Sequence, residues 1–329
     1  MLVLLLCFMA NISLGSVSIP FKDVIHSLMG KETDPDTWGY IIWNYRLPKA
    51  LTAILVGSGL SLSGLLMQTL FRNPLAGPFV LGISSGASLG VALLILGSSL
   101  FSGISTFGLF GNISLALASS LGSCIVLSAV MIMANRIKDT MALLIIGLMF
   151  GSMTAAIVSV LSYFSTAEKL QQYIYWSFGS LGDLSWQQLL ILLFVTASGL
   201  VLGIFSIKSL NGFLLGENYA KSIGINIKRS RYLIILATGL LAGGATAFAG
   251  PIAFIGLAVP HLTRQIFNTT DHRVLLPAVL IYGAILMLIC DTIAQWPTSA
   301  HVLPINAITS IIGAPVVIWL LVRKRKMVF

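Results

Sequence analysis

The sequence predicts an all-α polytopic membrane protein of about ten transmembrane helices, and three observations carry that expectation. Of 329 residues, 57% are hydrophobic and only 9% are charged, with a mean hydropathy of +0.97. A soluble domain keeps its surface wet with about 25% charged residues. Apolar runs of roughly 17–25 residues, each enough to cross about 30 Å of hydrocarbon, recur from end to end. The runs are rich in Gly, Ala, Ser and Leu, which is helix-bundle composition, and they lack the alternation of a membrane barrel.

Residues 1–17 form the first span. Met1–Gly15 is apolar from its start, with no basic stretch ahead and no small-residue cleavage site, so it is expected to be retained and not removed as a signal peptide. Span 2 (48–71) carries Gly57-x-Gly59, and span 3 (79–97) carries Gly82-x-x-x-Gly86-x-x-x-Gly90. Spans 4 and 5 cover 113–134 and 140–163, the latter with Gly147-x-x-x-Gly151. Spans 6 to 10 cover 187–207, 231–249 with Gly239-x-x-x-Gly243, 252–267, 274–293 and 305–322. Small faces of this kind let helix backbones approach closely, and they can also line a wide pathway. A Gly-Pro break follows a small-residue span in each half, Gly77-Pro78 and Gly250-Pro251. An offset of five spans, an odd number, would make this an inverted repeat, which is a transporter architecture. Residues 1–329 read as a single transmembrane domain.

Charge sets the expected orientation. Arg72, Arg136, Lys138, Lys208, Lys221, Lys228, Arg229, Arg231, Arg264, Arg273 and the tail Arg323–Lys326 fall on one side, 14 positive charges against Asp139, Glu217 and Asp271. The other side holds five, Lys22, Lys31, Arg46, Lys49 and Lys169, against seven acids. Basic residues favour the cytoplasmic side, so both termini are expected there, in a bacterial cytoplasmic membrane. Because these cations sit in the gaps between spans, the net charge of +9 reports topology and no nucleic-acid partner.

Three gaps are more than turns. Ser18–Trp43, outside, contains a short helix beginning near Pro20. Phe164–Trp186, also outside, contains the amphipathic stretch Glu168–Trp176, which is either an interfacial anchor or the lining of a pathway entrance. The inside gap, 208–231, contains a short helix from Glu217 to Ile223 closed by Gly224 as a left-handed cap. It carries Leu214, Leu215, Tyr219 and Ile223 outside the membrane. That fits a helix docking into a groove on a partner, or an amphipathic surface helix.

The sequence offers no enzyme chemistry. Cys7, Cys124 and Cys290 lie in apolar spans without pairing or ligand spacing. His26, His261, His272 and His301 have no second ligand at metal spacing, so no metal site is expected; His272 is read as serving its loop with Asp271 and Arg273. There is no GxxxxGK[ST] loop to hydrolyse ATP. Ion-driven carriers hold acids or histidines near the midplane, and here only Asp291 and Arg264 come close. Energy is therefore expected from another subunit. An ion-coupled secondary transporter working without an ATPase is the alternative.

Several blocks resemble the iron-siderophore, haem and cobalamin uptake permeases of ABC importers. They are Arg46-Leu47-Pro48-Lys49; Gly64-x-x-Met67-Gln68-x-x-Phe71-x-Asn73-Pro74-Leu75-Ala76-x-Pro78; Leu81–Ala87; Gly250-Pro251-Ile252-x-Phe254-Ile255-Gly256-Leu257-x-Val259-Pro260-His261; Thr270–Arg273; and Leu303-Pro304-Ile305 with Gly313-Ala314-Pro315. The resemblance is colinear from about residue 15 to the end. It implies a ten-helix permease of a type II importer, paired with a second copy of itself or a paralogous permease. Two cytoplasmic ABC ATPase subunits holding ATP-Mg, an extracytoplasmic substrate-binding protein and a metal-chelate cargo, ferric siderophore first among them, complete the expected system. The chain itself would bind no cofactor.

Carried onto this sequence, the resemblance implies an ATPase-coupling element at Gly216, Glu217, Asn218, Tyr219, Ala220, Lys221, Ser222, Ile223 and Gly224. It implies a cytoplasmic gate at Asn73 and Leu75 and at Asp139, Thr140 and Met141. Asp139 and Met141 depart from the small hydroxyl residues found beside this threonine in the cobalamin-transporting members. Binding-protein docking falls on Arg46, Lys49 and Gln295. Lysine replaces an arginine fork at the second position, and an uncharged amide stands at the third. Spans 5 and 10 would line the path, with Gly147, Gly151 and Thr154 among the lining residues.

Overall fold

The computed structural model describes residues 1–31, 33, 35–97, 111–137, 140–295 and 302–322. A helix stands at each expected span: α1 (Leu2–Ser13), α2 (Leu47–Leu70), α3 (Ile83–Ile95), α4 (Gly111–Arg136), α5 (Thr140–Tyr163), α6 (Trp186–Phe205), α7 (Ile227–Ala249), α8 (Ile255–Phe267), α9 (His272–Ala294) and α10 (Ile305–Val322). Among the described residues there is no strand.

The helices are unequal. Among the described residues six are long and apolar enough to cross a membrane, counting α2 with the turns before it as Thr37–Leu70; α1, α3 and α10 are shorter apolar helices. α3 and α8 have 13 residues each, a rise of about 20 Å against about 30 Å of hydrocarbon. Both are short for one local reason. Each follows a Gly-Pro break and starts from a residue in left-handed backbone, Gly82 (φ 74°) before α3 and Phe254 (φ 66°) before α8. The second break satisfies its polar groups from protein: Ser180 N–H donates to the Ala249 carbonyl (2.9 Å), and Ala253 N–H donates to Asn306 Oδ1 (3.0 Å). Irregular backbone at membrane depth is tolerated only under such cover.

α2 is the axis of the bundle, and most of its residues are buried. Its glycines are in place because other backbones pass where side chains would stand. A β-carbon on Gly64 would lie 1.7 Å from the Gly256 carbonyl oxygen of α8, and one on Gly57 would lie 2.4 Å from the Gly283 carbonyl oxygen of α9. The same device joins α3 to α4, where a β-carbon on Gly90 would meet the Ala118 carbonyl at 2.0 Å. Close approach of this kind lets dispersion and backbone contacts hold helices together where lipid supplies no hydrophobic drive. The first break also abuts the start of α8, since a β-carbon on Gly256 would lie 3.0 Å from the Pro78 ring and one on Gly77 would lie 3.2 Å from Leu257.

Two local features go beyond expectation. In the gap before span 2 the expected short helix stands at Phe21–Leu28, and it is followed by a Thr37–Ile41 helical turn that runs through a π turn, Ile42–Arg46, into α2. The Gly239-x-x-x-Gly243 face is itself wound as a π turn inside α7. Leu127 of α4 crowds it, with a β-carbon on Gly239 falling 2.1 Å from the leucine Cδ2.

Gly64→Ala is expected to destabilise the fold by about 3 kcal/mol or more, the upper end of overpacking costs. Gly97→Ala, with nothing within 4 Å of its new β-carbon, should be neutral. Thermal unfolding of both variants in detergent measures the difference; equal midpoints would refute the close-approach account.

Candidate functional site

The basic end of the bundle is built around a short helix. Residues Glu217–Ser222 are helical, and Gly224 (φ 81°) turns the chain. Ile225 N–H donates to the Ala220 carbonyl (3.0 Å) and Gly224 N–H to the Lys221 carbonyl (3.0 Å), the paired bonds of a glycine-closed helix end. The sequence-expected helix is thus present, ending one residue earlier. Ala220 and Ile225 are buried, whereas Leu215, Tyr219 and Ile223 are exposed.

What holds this helix is Gly212, in the preceding helix Ile207–Leu214. A β-carbon there would come within 2.5 Å of Ile225, 3.4 Å of Ala220 and 3.7 Å of Ile223. An ion pair from Glu217 to the buried Arg231 of α7 ties the other side. Charge-assisted bonds to a partly desolvated guanidinium are stronger than neutral ones. The start of the helix lies by the end of α2, since a β-carbon on Gly216 would be 3.8 Å from Arg72 Nη1.

The expected gate loop follows α2 directly. Asn73 Oδ1 accepts from the Leu75 N–H (2.9 Å), an Asx turn that leaves Leu75 exposed. Met141 is exposed at the start of α5. Asp139 lies outside the described residues, and of Thr140 only the backbone is described.

Buried polar contacts, which single-residue reading missed, surround this end. Gln68 Oε1 accepts from Arg264 Nη1 of α8 (2.6 Å), and Gln68 Nε2 donates to the Leu257 carbonyl (3.2 Å). Asn211 Nδ2 donates to Asp271 Oδ1 (2.8 Å), while Asn211 Oδ1 faces both the backbone N–H of His272 (3.0 Å) and its Nδ1 (2.7 Å). The His272 Nε2 meets Thr69 Oγ1 at 2.8 Å. The Arg273 N–H and then the Asn211 amide hold the Asp271 carboxyl below the usual carboxylate range. A lowered value favours the folded state above the unfolded pKa, and that contribution is lost as pH falls through the lowered one.

At the far end the expected docking residues converge, but inward. Lys49 Nζ pairs with Asp291 Oδ1 (3.2 Å), and Gln295 Nε2 and Asn11 Nδ2 donate to Asp291 Oδ2 at 2.7 and 2.9 Å. Arg46 is buried, and its guanidinium donates to the carbonyls of Ile12 (2.5 Å), Ser13 (2.8 Å) and Val17. Gly15 makes room for it, since a β-carbon there would lie 2.9 Å from Nη2. These residues join α1, α2 and α9 into one unit.

Near them, Gln172, Tyr175 and Trp176 of the helix Ala167–Ser177 line a cleft of about 290 Å³ with Asp183, Gln188 and Gly250. Trp176 also stacks on Tyr173, and the pair packs against α3 and α5. The expected lining residues of α5 face the protein. A β-carbon on Gly151 would lie 3.3 Å from Ser85 of α3, the Gly147 carbonyl approaches Gly82, and Thr154 is buried. The uncovered face of α5 is instead Ile145, Met149, Met153, Ile157 and Val160.

The profile of the FecCD transport family matches residues 3–323. The chain is 35% identical over 327 residues to the hemin transport system permease protein HmuU of Yersinia pestis, covering 99% of this chain and 95% of that one. It is 40% identical over 287 residues to the vitamin B12 import system permease protein BtuC of Klebsiella pneumoniae subsp. pneumoniae, covering 86% and 83%. A solved metal-chelate type ABC transporter in an inward-facing conformation superposes with a TM-score of 0.83 at 31% identity, covering 97% of this chain and 96% of that one.

Asp291→Leu is expected to cost about 2 kcal/mol, because it leaves the mostly covered Lys49 ammonium without its buried partner. Adding Lys49→Met should recover part of that loss in detergent-solubilised protein. Strictly additive losses in the double variant would show that the pair contributes no coupling.

Proposed function

We propose that this chain, which belongs to the FecCD transport family, is the membrane permease of an ABC importer that carries a bulky metal chelate inward by alternating access. One observation carries the reading. A glycine-closed helix at the basic end presents Leu215, Tyr219 and Ile223 to a partner, and is anchored into the bundle by Gly212 and Arg231. Such a helix suits the groove of a cytoplasmic ATPase. ATP-Mg belongs to that ATPase, and this chain supplies the conduit without a cofactor of its own.

The basic end is the cytoplasmic one in this reading, which puts both termini inside and the cleft at Gln172 and Gly250 at the outer mouth. The binding protein docks at that mouth. Lys49 and Gln295 border its site, and Arg46, turned onto the carbonyls after α1, shapes the rim. A second copy covers the uncovered face of α5, and the chelate passes between the two. Gly147, Gly151 and Thr154 then set how close α5 comes to α3, while Ile145, Met149 and Met153 face the partner or the path. A proton-driven carrier is disfavoured by Asp291, whose two oxygens are already engaged by Lys49, Asn11 and Gln295.

The names of the relatives point to hemin and vitamin B12, and the family adds ferric siderophores as the first cargo to assay beside them. Proteoliposomes containing the chain, its ATPase and its binding protein should take up one of these chelates only with ATP inside. Uptake driven by a proton gradient without the ATPase would overturn the reading. Tyr219→Ala or Glu217→Ala should leave ATP hydrolysis running while uptake falls; full coupling in both would remove the docking role from this helix.

A further inference from the structure

We infer that Asn211, His272 and Thr69 are positioning residues forming a buried polar relay, which carries movement of the coupling helix to the gate loop after α2. The inference rests on the permease reading above and assigns roles that docking alone does not require.

The three residues stand on three different elements: the helix Ile207–Leu214, the first turn of α9 and the last turn of α2. The coupling helix seats Ala220, Ile223 and Ile225 against Gly212, so the helix Ile207–Leu214 moves with it as one packed body. Asn211 is the neighbour of Gly212 in sequence. Its orientation is fixed by chemistry: the Asp271 carboxylate only accepts, so the amide nitrogen points there and Oδ1 is left for His272. His272 Nδ1 therefore carries the proton, and Nε2 of the neutral ring is left as an acceptor facing the Thr69 hydroxyl, whose one proton lies between it and the Leu65 carbonyl (2.9 Å). From Thr69 the gate loop Asn73–Leu75 is one helical turn away, and Asn73 N–H is itself bonded to the Gln68 carbonyl (3.1 Å).

Each contact spans 2.7–2.8 Å, and Thr69 and His272 are fully buried. Apolar side chains would pack this region without desolvation cost. A chain of directional bonds differs from such packing in being stiff along its length and in failing when a single member is removed. That suits transmission of a small displacement through a packed interface with discrete arrangements.

The test uses the full complex in liposomes and reads chelate uptake per ATP hydrolysed. Thr69→Val keeps the shape and removes the hydroxyl; Thr69→Ser keeps the hydroxyl; Asn211→Leu removes both bonds of the amide. Thr69→Val and Asn211→Leu are expected to retain ATPase association and basal hydrolysis while uptake per ATP falls at least about five-fold. Thr69→Ser should restore coupling, and the double variant should lose no more than the worse single one. If Asn211→Leu does not fold, the near-isosteric Thr69→Val decides alone. An unchanged ratio in Thr69→Val, with wild-type complex transporting normally, overturns the relay. Absence of ATP-driven uptake in the wild type would instead overturn the permease reading beneath it.

Discussion

The fold depends on backbone meeting backbone along α2. Where Gly57 and Gly64 face Gly283 and Gly256, the backbones meet directly, with Ser61 and Met287 packed beside the first crossing. Lipid chains are as apolar as leucine, so burial of greasy side chains gives these helices little reason to associate. Contact area, and therefore dispersion, has to come from proximity. α2 consequently occupies the position that a core strand holds in a soluble domain, with α8 and α9 stacked directly on it. The break at Gly77-Pro78 meets the first turn of α8 beside this axis, while the one at Gly250-Pro251 packs on Trp176 and Gly179.

Polar residues within the bundle serve assembly. Asp291, Lys49, Asn11 and Gln295 satisfy one another at one end, and Gln68, Arg264, Thr69, His272 and Asn211 join four elements at the other. Between these knots the bundle is largely apolar. A permease for bulky and varied cargo fits this division, because rigid ends and a weakly binding middle let a large solute pass without being held.

Much of this was legible in the sequence because it depends on local chemistry. Span positions follow from apolar run length, and the helix closed by Gly224 follows from a glycine after a short amphipathic segment. The glycine ladders announced close packing, though not their partners. Other features were hidden for physical reasons. The π turns at Ile42–Arg46 and Gly239–Gly243 are tertiary accommodations that no local residue pattern encodes. The inward turn of Arg46 depends on carbonyls freed at the end of α1, and the convergence on Asp291 joins residues some 280 positions apart. Asn211 gave no signal, being one polar residue in an unremarkable loop helix. The partner of the small face of α5 was not legible, because small residues suit a pathway and a tight helix crossing equally well.

The far-end knot also bears on the order in which the protein is made. Only Asn11, Ile12 and Ser13 of α1 are buried, and the polar partners of Asn11, Asp291 and Thr292, lie in α9. Until α9 has been made, α1 is therefore held through Arg46 and the carbonyls at its end, without the bonds of Asn11. During that interval its amide has no permanent acceptor. A nascent chain is in this respect an open clasp whose two halves lie 280 residues apart, and one truncated before α9 would keep the Asn11 amide without its native acceptors.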